Sequence, residues 1–239
     1  MLQEQINSLK TDWKDLLLDV LKSDDKLEDL LNEEYEEYEK YNGLAEIFPP
    51  KNQIFNAFNY FNISELKVIL IGQDPYHQVK QAHGLCFSIA EDSIKLPPSL
   101  RNIYKELETD INEGITIENK NGNFEYLAKQ GILLLNNTLT VRESSPNSHI
   151  KIWKTFTKKL INQITMNSEN IIFMLWGNSA KNIKKYIDKS RIDKQIYLEC
   201  NHPSPLSANR GGWFGNKHFS KTNNILEKFG KEKIEWISQ

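Results

Sequence analysis

The stretch GQDPYH, residues 72–77, places an amide, a carboxylate, a phenol and an imidazole in close succession, directly after the apolar run KVILI. Asp74 is the carboxylate and His77 the imidazole. A second imidazole, His202, lies in HPSPLS (202–207), which follows another mostly apolar run. Carboxylates and imidazoles move protons or oppose charge when bonds are cleaved. Their grouping at the ends of buried segments therefore indicates a functional site rather than a simple turn.

Several hydrolytic chemistries lack the residues that they need. Asp74 is the only carboxylate in the four segments that follow the predicted strands, so the paired carboxylates of a glycoside hydrolase are missing. The sequence has neither a G-x-S-x-G nucleophile motif nor a phosphate-binding G-x-x-x-x-G-K-[ST] loop. Metal binding stays open, because Asp74, His77, His83, His202 and His218 are of metal-ligand types, although their spacing matches no metal motif.

The elements that must position these residues are buried strands that alternate with helices. Four apolar runs predict the strands: KVILIG (67–72), GILLLN (131–136), NIIFMLWG (170–177) and QIYLEC (195–200). Helical patterns follow them near 99–112, 151–166, 178–188 and 219–229. This alternation predicts an α/β fold with a central four-stranded, mainly parallel sheet flanked by helices on both faces. The polar segments after the strands then meet at one edge, where open α/β sheets bind ligands.

The 239 residues contain no internal repeat and no flexible linker, so we expect a single domain, 1–239. Residues 1–44 are predicted to form N-terminal helices, one from Gln5 to Leu21 and another over 24–40. Residues 45–239 would form the α/β core that carries the motifs.

Charge is unevenly distributed along the chain. Residues 1–50 carry 14 acidic and 5 basic side chains, whereas residues 51–239 carry 18 acidic and 25 basic ones. The acidic part predicts a solvated helical face, and a polyanion could approach the basic part. No apolar run is long enough for a membrane span, the N-terminus is unlike a secretory signal, and there are only two cysteines. We therefore expect a cytoplasmic protein that does not enter a membrane.

Seven motifs resemble the family 1 uracil-DNA glycosylases in order and spacing: GQDPYH, QAHGLCFS, PPSL, LLLN, LTVR, LWG and HPSPLSANRG with the FG and HFS that follow it. The resemblance covers about residues 45–225, and the combination of GQDPYH with HPSPLS is its most specific part. It implies an enzyme that flips uracil out of DNA and hydrolyses its N-glycosidic bond, the first step of base-excision repair. It also implies that no metal and no cofactor is needed.

The resemblance assigns the catalytic roles to Asp74 and His202. Asp74 would orient water and oppose the positive charge that develops on the sugar. His202 would hydrogen-bond uracil O2 as negative charge develops there, together with backbone N–H groups near Gln73.

Uracil binding is assigned in the same way to Phe87, Tyr76 and Asn136. Phe87 would stack on the base, and Tyr76 would close the space beside C5, where thymine carries a methyl group. The amide of Asn136 can accept from uracil N3–H and donate to O4, a pattern that cytosine reverses. Asn137 is expected to face away, because successive strand residues point to opposite sides.

DNA contacts are expected from a set of loop residues: His77, Pro97, Pro98, Ser99, Asn178, Ser204 and Leu206. Leu206 would fill the gap left by the flipped nucleotide, whereas a leucine judged by residue type alone would more often pack beneath its own loop. The chain departs from the family pattern at Gln78, where the family has glycine, and at Asn178, where it has serine. The segment RGGWFG (210–215) is also bulkier than the family's usual form.

The expected partner is uracil-containing DNA, single- or double-stranded, bound by a monomer. The sequence leaves open whether a DNA-mimicking protein inhibitor binds the basic face. Two other functions stay as alternatives. One is an inert uracil- or DNA-binding module, against which the intact Asp74 and His202 argue; the other is a metal-dependent hydrolase. His83, His218, Cys86 and Cys200 are expected to be structural.

Overall fold

The computed structural model describes residues 1–40, 46–90, 95–118 and 120–238. The helices are α1 (Leu2–Asn7), α2 (Trp13–Lys22), α3 (Leu27–Lys40), α4 (Pro98–Asp110), α5 (Glu125–Ala128), α6 (Ile150–Asn167), α7 (Asn178–Lys181), α8 (Pro205–Ala208) and α9 (His218–Lys228). The strands are β1 (Ile47–Phe48), β2 (Val68–Gly72), β3 (Ile132–Asn136), β4 (Val141–Arg142), β5 (Ile172–Trp176) and β6 (Ile196–Cys200). Short 3₁₀ helices cover Lys51–Gln53, Asn56–Phe58, Ile63–Glu65, Asn182–Tyr186 and Ile192–Lys194.

Four strands form one parallel sheet in the order β3-β2-β5-β6. Each matches one of the predicted apolar runs to within two residues at either end. The predicted α/β fold is confirmed, and among the described residues this sheet is parallel throughout. The carboxyl ends of the four strands therefore share one edge, as the sequence predicted.

Helices cover both faces of the sheet, because alternate residues of each strand point to opposite sides. Ile69 and Ile71 of β2 belong to the core that also contains apolar residues of α1, α2, α3 and α6. Val68 and Leu70 belong to a second core with residues of α4, α5 and α9. Burial of each such side chain contributes about 1.5–3 kcal/mol, so the sheet is held firmly beneath its polar edge.

The N-terminal helix predicted over residues 5–21 is wrong as a single element, since α1 ends at Asn7 and α2 begins at Trp13. The intervening residues bond instead to the segment before β2. The Thr11 hydroxyl donates to the Phe58 carbonyl at 2.6 Å, and Oδ1 of Asp12 accepts from the Ile63 N–H at 2.7 Å. These tertiary contacts interrupt a helical pattern that is continuous in the sequence.

Two further features differ from the sequence prediction. The helix expected over 178–188 is a short α7 followed by the 3₁₀ turn Asn182–Tyr186. The antiparallel pair of β1 and β4 was not predicted, because two residues are too few to show a period. The predicted division at residues 44 and 45 lies outside the described residues. Within the described ranges, no helix has the length and apolar content required for a membrane span.

Candidate active site

A pocket of about 210 Å³ opens at the carboxyl edge of the sheet. Eight of the predicted site residues line it: Gln73, Asp74, Tyr76, His77, Phe87, Ser99, Asn136 and His202. It is smaller than the roughly 300–1,000 Å³ typical of pockets for drug-sized ligands, so it suits a single ring. Leu85 and Pro146 also line it, although neither was singled out in the sequence.

Asp74 presents one engaged and one unengaged carboxylate oxygen. The backbone N–H of Asn147 donates to Oδ2 at 2.6 Å, whereas Oδ1 is buried and has no hydrogen-bond partner among the described residues. Burial raises the pKa of Asp74 above its ordinary value, and the Asn147 N–H and neighbouring polar groups offset this in part. The free oxygen can hold a water molecule or face a developing positive charge.

His202 is held as a neutral hydrogen-bond donor. Its Nδ1 accepts the backbone N–H of Ser204 at 3.0 Å, so the proton of the neutral ring lies on Nε2. Burial lowers the pKa of His202, which keeps the ring uncharged near neutral pH. Gly177, at φ +91°, allows the close approach of this ring, since a Cβ there would lie 2.9 Å from the His202 Cβ.

Phe87 provides an aromatic wall and adopts a backbone conformation that is rare for its type. Its φ is +61°, a region that bulky residues seldom occupy unless the surrounding fold imposes it. Its ring centre lies 5.3 Å from that of Trp176 and 5.7 Å from that of His202. The Trp176 indole in turn donates to Nδ1 of His218 at 3.0 Å, which fixes the wall from behind.

Asn136 is the last residue of β3 and lies opposite Gly72, the last residue of β2. Its side chain is buried, and its Oδ1 has no partner among the described residues. The pocket is lined by Asn136 and not by Asn137, as the alternation along a strand predicts. A buried amide without a protein partner is suited to bind a polar ligand edge, because leaving it unpaired costs free energy.

Tyr76 closes one side of the pocket. Its ring packs against Phe48, Ala82 and Val141, and its hydroxyl lies 3.4 Å from the Phe87 carbonyl oxygen. Burial raises the pKa of Tyr76, so the phenol stays protonated. The ring therefore acts through its shape.

Gln78, where the chain departs from the family pattern, joins two loops. Its Nε2 lies 3.2 Å from Nδ1 of His77 and 3.4 Å from Oγ of Ser144. A glycine could make neither contact, so this residue braces His77 from outside the pocket.

A second, larger groove of about 680 Å³ adjoins the pocket and shares Tyr76 and Ser99 with it. Its other lining residues include Pro97, Pro98, Ser204 and Leu206, together with the basic Lys95 and Arg101. Leu206 is 82% exposed, so the interpretation that it packs beneath its loop is wrong. An exposed leucine beside basic side chains is suited to contact DNA.

The remaining candidates lie apart from the pocket. Asn178 is exposed at the start of α7 and is not among the described residues that line either cavity. In the 210–215 segment, Trp213 is fully buried with its ring 4.9 Å from that of Trp176, so its bulk fills the core. Phe214, beside it, is 43% exposed.

The residues expected to be structural are buried and partnered as predicted. His83 lies 2.6 Å from the Ser88 hydroxyl, and His218 accepts from Trp176. Cys86 and Cys200 are buried free thiols. In the described part of the chain, no three His, Cys, Asp or Glu side chains come together as a metal site would require.

Sequence reasoning missed Asn147, which bonds both Asp74 and Gln73, and His149, which is fully buried two residues later. Both belong to ESSPNSH (143–149), a polar run after β4. A histidine just before the amphipathic helix α6 was the one available signal. Asp74 and Gln73, which bond Asn147, and Glu34, which bonds His149, are 73 to 115 residues away, and nothing local in the sequence indicates them.

Comparison with known proteins places this site in context. The family model described as the Uracil DNA glycosylase superfamily matches residues 58–227. The uracil-DNA glycosylase of Fusobacterium nucleatum is 48% identical over 234 residues, which span 97% of each chain. That of Christiangramia forsetii is 52% identical over 190 residues, 79% of this chain and 83% of the other. The crystal structure of mimivirus UNG Y322F in complex with UGI superposes with a TM-score of 0.82 at 26% identity, covering 95% of this chain and 89% of that one.

Proposed function

Because this chain belongs to the uracil DNA glycosylase superfamily, we propose that the pocket at the edge of its sheet is where it hydrolyses the N-glycosidic bond of uracil in DNA. Asp74 and His202 are the catalytic residues, and the reaction leaves an abasic site that base-excision repair then processes. The single observation that carries this assignment is the shared pocket. It brings a carboxylate with a free oxygen, a neutral imidazole and an unpaired amide together from three separate strand ends.

Uracil is held on three sides in this pocket. Its face stacks on Phe87, and its N3–H and O4 pair with the buried amide of Asn136. The Tyr76 ring occupies the space beside C5, so a thymine methyl group would collide with it. Cytosine offers the reverse hydrogen-bond pattern and would leave the Asn136 amide unsatisfied, which costs free energy in a buried site.

Bond cleavage leaves negative charge on uracil and positive charge on the sugar, and a pocket residue stabilises each: His202 the first and Asp74 the second. The electron pair of the bond between C1′ and N1 leaves with uracil, and O2 takes up part of the negative charge. The Nε2–H of His202 donates to that oxygen, with backbone N–H groups near Gln73 as further donors. Asp74 opposes the positive charge on the sugar, and its free oxygen orients the water whose oxygen bonds to C1′. The proton that this water releases passes to Asp74, and a proton taken up from solvent by the departing uracil anion completes the hydrolysis.

The larger groove receives the DNA strand. Pro97, Pro98, Ser99 and Ser204 contact its backbone, and His77 and Asn178 contact phosphates nearby. Leu206 enters the stack where the uracil has left it.

The protein acts as a monomeric single domain on single- and double-stranded DNA. A mimivirus relative has been crystallised with UGI, and we infer that a DNA-mimicking protein inhibitor would occupy the same groove here.

The free buried thiols Cys86 and Cys200 support a cytoplasmic location.

The test is incubation with a uracil-containing oligonucleotide in excess chelator, followed by alkaline cleavage at abasic sites. We expect strand cleavage at the uracil, none with a thymine oligonucleotide, and little with Asp74→Asn. Binding without cleavage would identify an inert module instead. Activity that chelator abolishes and added metal restores would identify a metal-dependent hydrolase.

A further inference from the structure

The acidic helix α3, whose role the sequence left open, contacts the far side of the active-site loops through one carboxylate. Oε2 of Glu34 accepts a hydrogen bond from the Arg142 guanidinium at 2.5 Å and lies 3.2 Å from Nε2 of His149. His149 is fully buried, and Glu34 is largely so. Glu37, one turn further along α3, approaches Arg142 only to 3.7 Å and is half exposed.

The hydrogen-bond chain behind Glu34 has one consistent direction. The Trp153 indole, which can only donate, lies 2.6 Å from the Thr140 hydroxyl oxygen. Glu34 only accepts, so Nε2 of His149, 3.2 Å away, carries the ring proton. Nδ1 of the neutral ring then accepts from the Thr140 hydroxyl at 2.8 Å. Burial lowers the pKa of His149, in keeping with this neutral ring.

Arg142 and His149, both bound to Glu34, are the residues on either side of the 143–148 loop. This loop makes three contacts with the GQDPYH segment. The Asn147 N–H donates to Oδ2 of Asp74 at 2.6 Å, its side-chain oxygen accepts from Gln73 at 2.5 Å, and the Ser144 N–H donates to the His77 carbonyl at 3.0 Å. A single carboxylate on α3 thus holds both ends of the loop that bonds Asp74.

We propose that Glu34 is a positioning residue for the reaction: through Arg142 and His149 it fixes the 143–148 loop, which holds Asp74 with one oxygen engaged and the other free. The inference rests on the proposed function, in which Asp74 is catalytic. Its physical basis is orientation. A carboxylate free to rotate would present its unengaged oxygen to the sugar and water for only part of the time.

Loss of the contacts that orient Asp74 should shift the acid limb of the pH–rate profile in a predictable direction. The acid limb is the pH range in which the rate falls as Asp74 becomes protonated. A hydrogen bond to the ionised form lowers a carboxyl pKa, so losing the Asn147 contact moves the acid limb of the rate to higher pH. Removing the negative charge of Glu34 would, by itself, move the limb to lower pH. The other titratable groups around Asp74 are His77 on its own loop, His202 across the pocket and the neutral His149 behind the 143–148 loop.

The experiment compares Glu34→Ala with the matched control Glu37→Ala, which removes a carboxylate from the same helix but spares the His149 contact. Single-turnover excision, DNA affinity and the pH profile are measured for each, with thermal melting to count folded protein. We expect Glu34→Ala to excise uracil roughly 10- to 100-fold more slowly. Its DNA affinity should be unchanged and its acid limb should lie at higher pH, while Glu37→Ala matches the wild type. An unchanged rate, or a limb that stays or moves to lower pH, would overturn the proposal.

Two further variants keep the test decisive. Glu34→Gln retains an oxygen that can accept from both partners, so it should recover most of the rate. Arg142→Ala loosens the exposed end of the same loop without leaving a buried group unpaired. If Glu34→Ala does not fold, Arg142→Ala should slow excision from DNA that it still binds, and a wild-type rate would count against the proposal; the rate is the readout here, because loss of the Arg142 charge by itself raises the acid limb.

A double-mutant cycle separates this proposal from the assignment of Asp74 itself. If Glu34 acts through Asp74, Glu34→Ala should cause no further loss in an Asp74→Asn background. A further loss of the same factor in that background would show that Glu34 acts elsewhere. Wild-type excision by Asp74→Asn alone would instead remove the catalytic assignment of Asp74.

Discussion

Gly72 and Asn136 occupy paired positions at the ends of neighbouring strands, and a Cβ atom on Gly72 would lie 2.3 Å from Oδ1 of Asn136. The same atom would lie 2.7 Å from the Cβ of Cys86. Both distances are below any normal contact, so the strand end must carry glycine for the amide to hold its place. The absence of a side chain at Gly72 therefore makes room for the Asn136 amide, which we propose reads the base.

We expect Gly72→Ala to displace the Asn136 amide and to weaken uracil recognition by roughly tenfold or more. Two quantities are measured: the inhibition constant of free uracil in the excision assay, and the Kd for DNA that lacks uracil. Binding of that DNA should not change, because the groove around Ser204 and Leu206 is untouched. Wild-type inhibition by free uracil would show that Asn136 does not carry the recognition.

Asp74→Asn should lower the single-turnover rate by roughly 100-fold or more, since it removes the charge that we propose opposes the sugar cation. It should also stabilise the protein at neutral pH. Burial raises the pKa of Asp74 in the folded state, so the folded form binds the proton more tightly than the unfolded chain. At pH values above that raised pKa, the ionised carboxylate therefore opposes folding.

The gain in melting temperature over the wild type should accordingly be present at pH 7 to 8. It should shrink as pH falls towards the ordinary aspartate value of 3.8, where the wild-type carboxyl becomes protonated as well. A melting temperature lowered at every pH would contradict the buried-charge account.

The excision rate should show one acid limb and then stay level through neutral pH. The proposed mechanism needs an ionised Asp74 and a neutral His202, and both of these forms accumulate as pH rises. Burial raises the pKa of Asp74 and lowers that of His202, so the His202 deprotonation should be complete below its ordinary range and the limb should follow Asp74. In Asp74→Asn, whose residual rate depends on His202 alone, an acid limb above 6.5 would mean that His202 is not held neutral.

Tyr76→Ala should open the space beside C5 and allow slow release of thymine. The Tyr76 ring lines the pocket and packs against Phe48 and Val141, whereas its hydroxyl makes only a long contact of 3.4 Å. Tyr76→Phe is therefore the control, and it should keep the wild-type preference for uracil. Matched oligonucleotides with uracil or thymine measure the ratio of rates, and thymine release by Tyr76→Phe alone would contradict a steric role.

Leu206→Ala should leave the melting temperature nearly unchanged, because the side chain is 82% exposed. Leu100→Ala, at a fully buried position on α4, is the control and should lose about 2–5 kcal/mol of stability. If Leu206 fills the gap in the stack, its truncation should slow excision from duplex DNA more than from single strands, whose bases are already partly unstacked. Equal slowing on both substrates would exclude that role.

Local pattern was sufficient to predict the framework of this protein. Four continuous apolar runs separated by helices predicted a parallel sheet, because strands that are buried on both faces are apolar at every position. The sheet in turn required the segments containing Asp74, Asn136 and His202 to share one edge. Eight of the predicted site residues do line one pocket there.

Only the tertiary structure decided which side chains are free and which are held. The sequence could not tell that Leu206 is exposed, that α1 and α2 are separate, or that Glu34 meets His149. These outcomes depend on partners far along the chain: Asn147 lies 73 residues from Asp74, and His149 lies 115 from Glu34. A periodic pattern records whether a residue is buried, whereas the partner of a buried polar group is set by packing that brings distant segments together.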